Sequence, residues 1–136
     1  MNIYDTEFTH DWNTREGTQQ NGKLSCANFT TLRYQNPKFY AGAIHRIWNN
    51  HNGKKREHTG YAKVIRVMNF KFKDIEKYDV LCRLDTGYNF AETRNIMQKM
   101  YKNVQSDHDF CFVLFSYLTK SEIVSLTEKT QTQLNV

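Results

Sequence analysis

The run Asp109-Phe110-Cys111-Phe112-Val113-Leu114-Phe115-Ser116-Tyr117-Leu118 carries the strongest strand signal in this 136-residue chain. Aromatic and β-branched side chains dominate it, as they do in packed, pleated segments. Apolar residues occupy both parities, so the strand is expected to be central and covered on both faces. Ser106-Asp107-His108 in front of it reads as a connector. Further upstream the apolar period lengthens from two residues to three or four. Asn89 followed by Glu92 is a capping box. Phe90, Met97, Met100, Tyr101 and Val104 mark the buried stripe of the helix it opens. An earlier helix is expected with Asp74 as N-cap and Ile75, Tyr78, Leu81 and Cys82 on one face, ended by Gly87.

Upstream of the helices three strands are expected. Residues 29–34, Phe-Thr-Thr-Leu-Arg-Tyr, are β-prone and are stopped by Asn36-Pro37. Residues 43–48 alternate, with Ile44, Arg46 and Trp48 on one side and His45 and Ile47 on the other. A polar, basic hairpin loop turns at Asn52-Gly53. Residues 61–72 form the third strand, with no cleanly polar face and a bulge expected near Asn69. Residues 1–21 read as a polar N-terminal extension in which Phe8 and Trp12, four apart, suggest a short helical turn. Beyond Thr119 the chain turns polar, and residues 119–136 read as a tail with one short element at 121–126 and a frayed end. The domain is then 22–118, in the α+β class: a small β-barrel or strongly curved sheet with two inserted helices.

Composition narrows the function. The formal charge is +5, but residues 38–73 hold nine bases (Lys38, Arg46, Lys54, Lys55, Arg56, Lys63, Arg66, Lys71 and Lys73) against one acid, Glu57. Such a basic third in an otherwise acidic chain suits a polyanion, most often nucleic acid; the plain alternative is a solvated lysine-rich face. No apolar run reaches the length of a membrane span and no signal peptide is visible, so a cytosolic, cytoplasmic setting is expected. Cys26, Cys82 and Cys111 are odd in number and widely spaced, which fits neither a disulfide framework nor a zinc site. No metal and no cofactor are expected. Cys82 and Cys111 are expected to be buried and inert, leaving Cys26 as the thiol to test.

Several segments, taken in order, resemble the ASCH domains of the PUA-like superfamily. They are Gly22-Lys23, then Thr31-Leu32-Arg33, then Tyr40-Ala41-Gly42 leading into a strand, then Tyr61-Ala62-Lys63-Val64-Ile65-Arg66-Val67. Asp85-Thr86-Gly87-Tyr88-Asn89 follows, opening a helix that ends at Tyr101, and a last apolar strand closes the domain. The spacing departs from the family at Lys23, which Leu24-Ser25-Cys26-Ala27-Asn28 separates from the Thr-x-Arg strand. The resemblance implies a small PUA-like β-barrel whose cleft is lined by the Thr-x-Arg strand and the acidic-glycine turn. It also implies RNA or nucleotide binding or, in some branches, hydrolysis of RNA or of an acylated nucleoside by a lysine, a threonine and an acid.

The candidates follow from chemistry and resemblance together. Thr31 and Arg33 are two apart and share a strand face, Arg33 offering a planar fork to a phosphate or base edge and Thr31 a hydroxyl. Thr30 is expected to face away and to be structural. Lys23 is either a cation or base beside Thr31 or an exposed loop lysine. Asp85 either orients a hydroxyl or shapes the turn. Lys23, Thr31 and Asp85 would be the catalytic set of a hydrolase. Arg33, Arg46, Lys54, Lys55, Arg56, Lys63 and Arg66 would grip single-stranded RNA or a nucleotide, with Tyr88 first and Trp48 second as stacking rings. A protein-interaction role for the basic face is the third reading. All of this requires Arg33 to open into the cavity that Asp85-Thr86-Gly87 walls off.

Overall fold

In the computed structural model, which describes residues 2–8, 22–50 and 57–134, the apolar run is β5 (Asp109–Tyr117). It lies antiparallel between β4 (Glu57–Lys71) and β2 (Asn28–Tyr34). The sheet has five strands in the order β1-β3-β4-β5-β2, with β3 (Ile44–Asn49) antiparallel to β4 and β1 (Ile3–Phe8) parallel to β3. β1 falls inside the stretch expected as a polar extension. Its inward positions are Thr6 and Phe8, both buried, and only this two-residue alternation marks it in sequence. The parallel pairing is non-local, which no local pattern encodes.

The sheet has a different core on each face. One gathers Phe8, Phe29, Ile47, Val64, Val113 and Phe115; the other gathers Phe70, Phe72, Ile75, Met97, Phe110 and Phe112. β5 feeds both by alternation, so its continuous apolarity has a simple cause. β4 feeds both through a bulge. Its register shifts between Val64 and Arg66, upstream of the expected Asn69. The extra residue changes the parity, so Ala62 and Val64 face the first core and Met68 and Phe70 the second.

The two edge strands curl toward each other over the first core. The rings of Phe8 and Phe29 are 5.8 Å apart, and Arg33 Nη2 donates to the carbonyl of Glu7. No backbone ladder joins β1 to β2, so the sheet is curved and open. The class is α+β as expected, and closure into a barrel is replaced by a seam filled with side chains.

A 3-10 segment, Phe72–Tyr78, leads into α1 (Asp79–Thr86), so Asp74 lies inside that segment rather than capping a helix. Gly87 ends α1 at φ +81°, the left-handed conformation that favours glycine. α2 (Phe90–Met100) opens with the capping box, Asn89 Oδ1 accepting from the Glu92 amide at 2.9 Å and Glu92 Oε1 from the Asn89 amide at 3.4 Å. Both helices cover the second core. α3 (Lys120–Leu134) occupies the stretch expected to be mostly a tail. No described helix is long and apolar enough to cross a membrane.

Candidate functional site

The seam between β1 and β2 holds a cavity of about 170 Å³. β1 contributes Glu7 and Phe8, β2 contributes Thr31, Leu32 and Arg33, and the end of α1 contributes Asp85 and Thr86. Thr93, Met97 and Met100 of α2, with Tyr101 after it, complete the wall. The strand and the acidic-glycine turn, 52 residues apart between Arg33 and Asp85, thus face one hollow.

Asp85 is the hub. Its Oδ1 accepts from Lys23 Nζ at 3.1 Å and from the Thr30 hydroxyl at 2.8 Å. The Lys23 and Asp85 side chains keep only 4% and 2% of their exposure. Lys23 comes from the 3-10 turn Gly22–Ser25 just before β2, a turn pinned by Leu24 in the core and by the Tyr117 hydroxyl on the Leu24 carbonyl at 2.9 Å. Desolvation pulls the Lys23 ammonium below its ordinary value; Asp85 opposes this and Arg33 adds to it. Arg33 Nε donates to Thr31 Oγ1 at 2.9 Å, and the guanidinium lies 4.8 Å from the centre of the Phe8 ring. The Lys23 ammonium lies 5.3 Å from the same ring. Two cations therefore share one aromatic face, Lys23 alone being paired with the buried carboxylate, with Glu7 exposed at the rim.

The floor is a hydroxyl pair. Thr86 and Thr93 Oγ1 lie 3.0 Å apart, and Thr86 also donates to the Cys82 carbonyl at 2.8 Å. Burial pushes the Tyr101 phenol up, with Arg33 opposing. The site can accept an anionic or carbonyl group at Arg33, hydrogen-bond a polar edge through Thr31, Thr86 and Thr93, and pack a flat ring against Met97, Met100 and Tyr101.

The candidate residues distribute unevenly. Arg33, Thr31 and Asp85 line the cavity, whereas Lys23 reaches Asp85 without being part of the wall. Thr30, expected to be structural, supplies the hydroxyl that meets Asp85, because it shares the face of Leu32, over which α1 and Asp85 lie. Tyr88 is half-buried, its amide on Thr86 Oγ1 at 3.1 Å, and its ring is not part of the wall; Tyr101 takes that place. Arg46 and Trp48 lie outside the seam, both bonded to Asp5. Lys63 and Arg66 are exposed on β4. Lys54, Lys55 and Arg56 lie outside the described residues. Cys82 and Cys111 are buried and their thiols are pushed up to about 11; Cys26 is exposed. The residues missed in sequence (Phe8, Thr86, Thr93, Met100 and Tyr101) come from three separate elements, β1, α1 and α2, with Tyr101 just past the end of α2. Thr86, adjacent to Asp85 in the turn, had a readable signal.

Compared with family models, curated proteins and solved structures, the chain matches none.

Proposed function

We propose that this chain is an ASCH-like, PUA-like nucleic-acid-binding protein that takes one nucleotide of a single-stranded RNA, or a free nucleotide, into the seam. The observation that carries this reading is a cavity lined by Arg33 and walled by Met97, Met100 and Tyr101, beside the buried Lys23–Asp85 pair. A largely desolvated guanidinium favours an anion, and the apolar wall favours a planar base. The basic stretch 38–73 supplies steering and phosphate contacts that add affinity without sequence choice. The barrel implied by the family corresponds here to a curved sheet whose edges Arg33 bridges.

The test is equilibrium binding of a fluorescent single-stranded RNA 10-mer and of a nucleoside 5′-monophosphate at 50 mM salt. Arg33→Ala is expected to weaken both by roughly tenfold to a hundredfold, the worth of a charged hydrogen-bonding pair. Arg33→Lys is expected not to restore them, since the fork and not the charge alone is needed. Absence of binding to either probe removes this reading.

A second reading, hydrolysis of an acylated nucleoside or of RNA, is favoured by one observation. The Lys23 ammonium and the Thr30 hydroxyl converge on Asp85 Oδ1, with the lysine shifted toward its neutral, basic form. Thr31 lies in the same cavity as the acid. Release of acetate from N4-acetylcytidine, abolished in Thr31→Val or Lys23→Met, would support it. No turnover by a protein that binds the nucleoside would leave binding alone.

A further inference from the structure

Away from the seam, the outer face of β3 and β4 carries a second arrangement. His45, Ile47 and Ala62 point into the first core, so Arg46, Trp48 and Tyr61 point outward. Trp48 pairs with His58 and Arg46 with Tyr61 across the ladder. The rings form a row: Trp48 to His58 is 5.0 Å between centroids at 36°, and His58 to Tyr61 is 4.9 Å at 87°. His58 is exposed, and Trp48 and Tyr61 are half exposed.

The row is held in place. Asp5 of β1 accepts from Trp48 Nε1 at 2.8 Å and from Arg46 Nη2 at 3.1 Å, which sets the indole's rotation. Arg46 Nε also lies 2.9 Å from Asp5, at an angle too poor for a hydrogen bond. His58 Nε2 donates to the Gly60 carbonyl at 3.1 Å, fixing the second ring. Lys63, two residues beyond Tyr61, and Arg66 past the bulge are exposed cations on the same strand. Both strands belong to the basic stretch 38–73.

A core would account for aromatic rings that are buried, and solubility would account for exposed lysines. Neither accounts for three adjoining, partly exposed rings, two of them held in orientation by hydrogen bonds, flanked by cations. Exposed ring faces that take any base, with phosphate-reaching cations beside them, are how single-stranded nucleic acid is held. We propose that Trp48, His58 and Tyr61, with Arg46, Lys63 and Arg66, form a stacking platform for unpaired bases of a single-stranded nucleic acid, distinct from the seam. The platform rests on the reading of the chain as a nucleic-acid binder, and it extends the contact from one nucleotide to a strand.

The experiment uses the full chain with Trp12→Phe, which leaves Trp48 as its one tryptophan. A mixed-sequence RNA 10-mer at 50 mM salt is expected to quench Trp48 emission as it binds. Trp48→Leu and Tyr61→Leu are each expected to weaken the 10-mer about tenfold, while Trp48→Phe and Tyr61→Phe stay within about threefold, because stacking survives in phenylalanine. A nucleoside 5′-monophosphate, too small to need the platform, is expected to bind the Leu variants as it binds the parent. Unquenched Trp48 in a bound complex, or Leu variants that bind the 10-mer normally, overturns the platform and leaves the seam standing. Loss of the 10-mer in the Leu variants without any monophosphate binding supports the platform and removes the seam. Equal quenching by polyglutamate assigns the face to an acidic protein and overturns it.

Discussion

The molecule uses nearly the same chemistry in two places, and the results differ. At the seam, Asp85 accepts from two donors, Lys23 and Thr30, with Phe8 under the cations. At the outer face, Asp5 accepts from two donors, Arg46 and Trp48. The first pair keeps 4% and 2% of its side-chain exposure, the second 42% and 43%. Desolvation raises the cost of charge at the seam and shifts Lys23 downward, while water screens Asp5 and Arg46 to a weak pair. Burial, not the choice of residues, separates the two constellations. The outer face spends its carboxylate on aiming an indole.

The comparison can be broken most directly at Asp85. Asp85→Asn leaves Lys23 buried without a counter-charge and is expected to cost about 3–5 kcal/mol in urea unfolding. Combining it with Lys23→Met should recover most of that loss; a double-variant loss equal to the sum of the two single losses would mean the pair is not coupled. His45 extends the burial argument to the inner side of β3. Fully buried, it donates from Nε2 to the Lys38 carbonyl at 2.9 Å, so Nδ1 accepts from the Thr6 hydroxyl at 2.8 Å and the ring is neutral. Its value is pulled from 6.5 down to about 4, chiefly by burial. The unfolded chain therefore takes up the proton first. Its contribution is complete above pH 6.5 and falls as the pH drops toward 4, by about 2 kcal/mol between pH 7.5 and pH 5. The urea midpoint of His45→Gln should be correspondingly flatter across that range.

The outer face is expected to respond less. Gly60, at the irregular crossing of β3 and β4, has φ +155°, and an added Cβ would lie 3.1 Å from the Tyr117 ring. Gly60→Ala is expected to cost about 1.5 kcal/mol and to shift Trp48 emission, since the same backbone anchors His58. Asp5→Asn should change stability by less than about 1 kcal/mol, as for any exposed pair. It should nevertheless loosen Trp48, read as a fall in fluorescence anisotropy in the Trp12→Phe background. A stability loss as large as that of Asp85→Asn would erase the contrast between the two carboxylates.

Local patterns made much of the fold legible. The continuous apolarity of β5, the Asn89–Glu92 box and the Gly87 stop each follow from short-range stereochemistry, and each is found where the residues put it. β1 escaped notice because six residues with two buried side chains give too short an alternation. The bulge of β4 was misplaced because a parity change is visible only once both cores exist to receive the side chains. In the site, the Thr-x-Arg strand and the Asp-Thr-Gly turn stood out as motifs. The choice of Thr30 over Thr31 as partner of Asp85 did not, since it depends on which face of the sheet α1 covers.

The chain alone determined its periodicities, its caps and stops, and the concentration of positive charge in 38–73, because these depend on neighbours in sequence. Tertiary structure decided that β1 joins as a parallel edge strand and that Arg33 spans the gap between the two edges. It also decided which of two similar carboxylates loses its water. Burial and non-local pairing are properties of the assembled sheet: they arise from residues brought together across tens of positions, and no local window contains them.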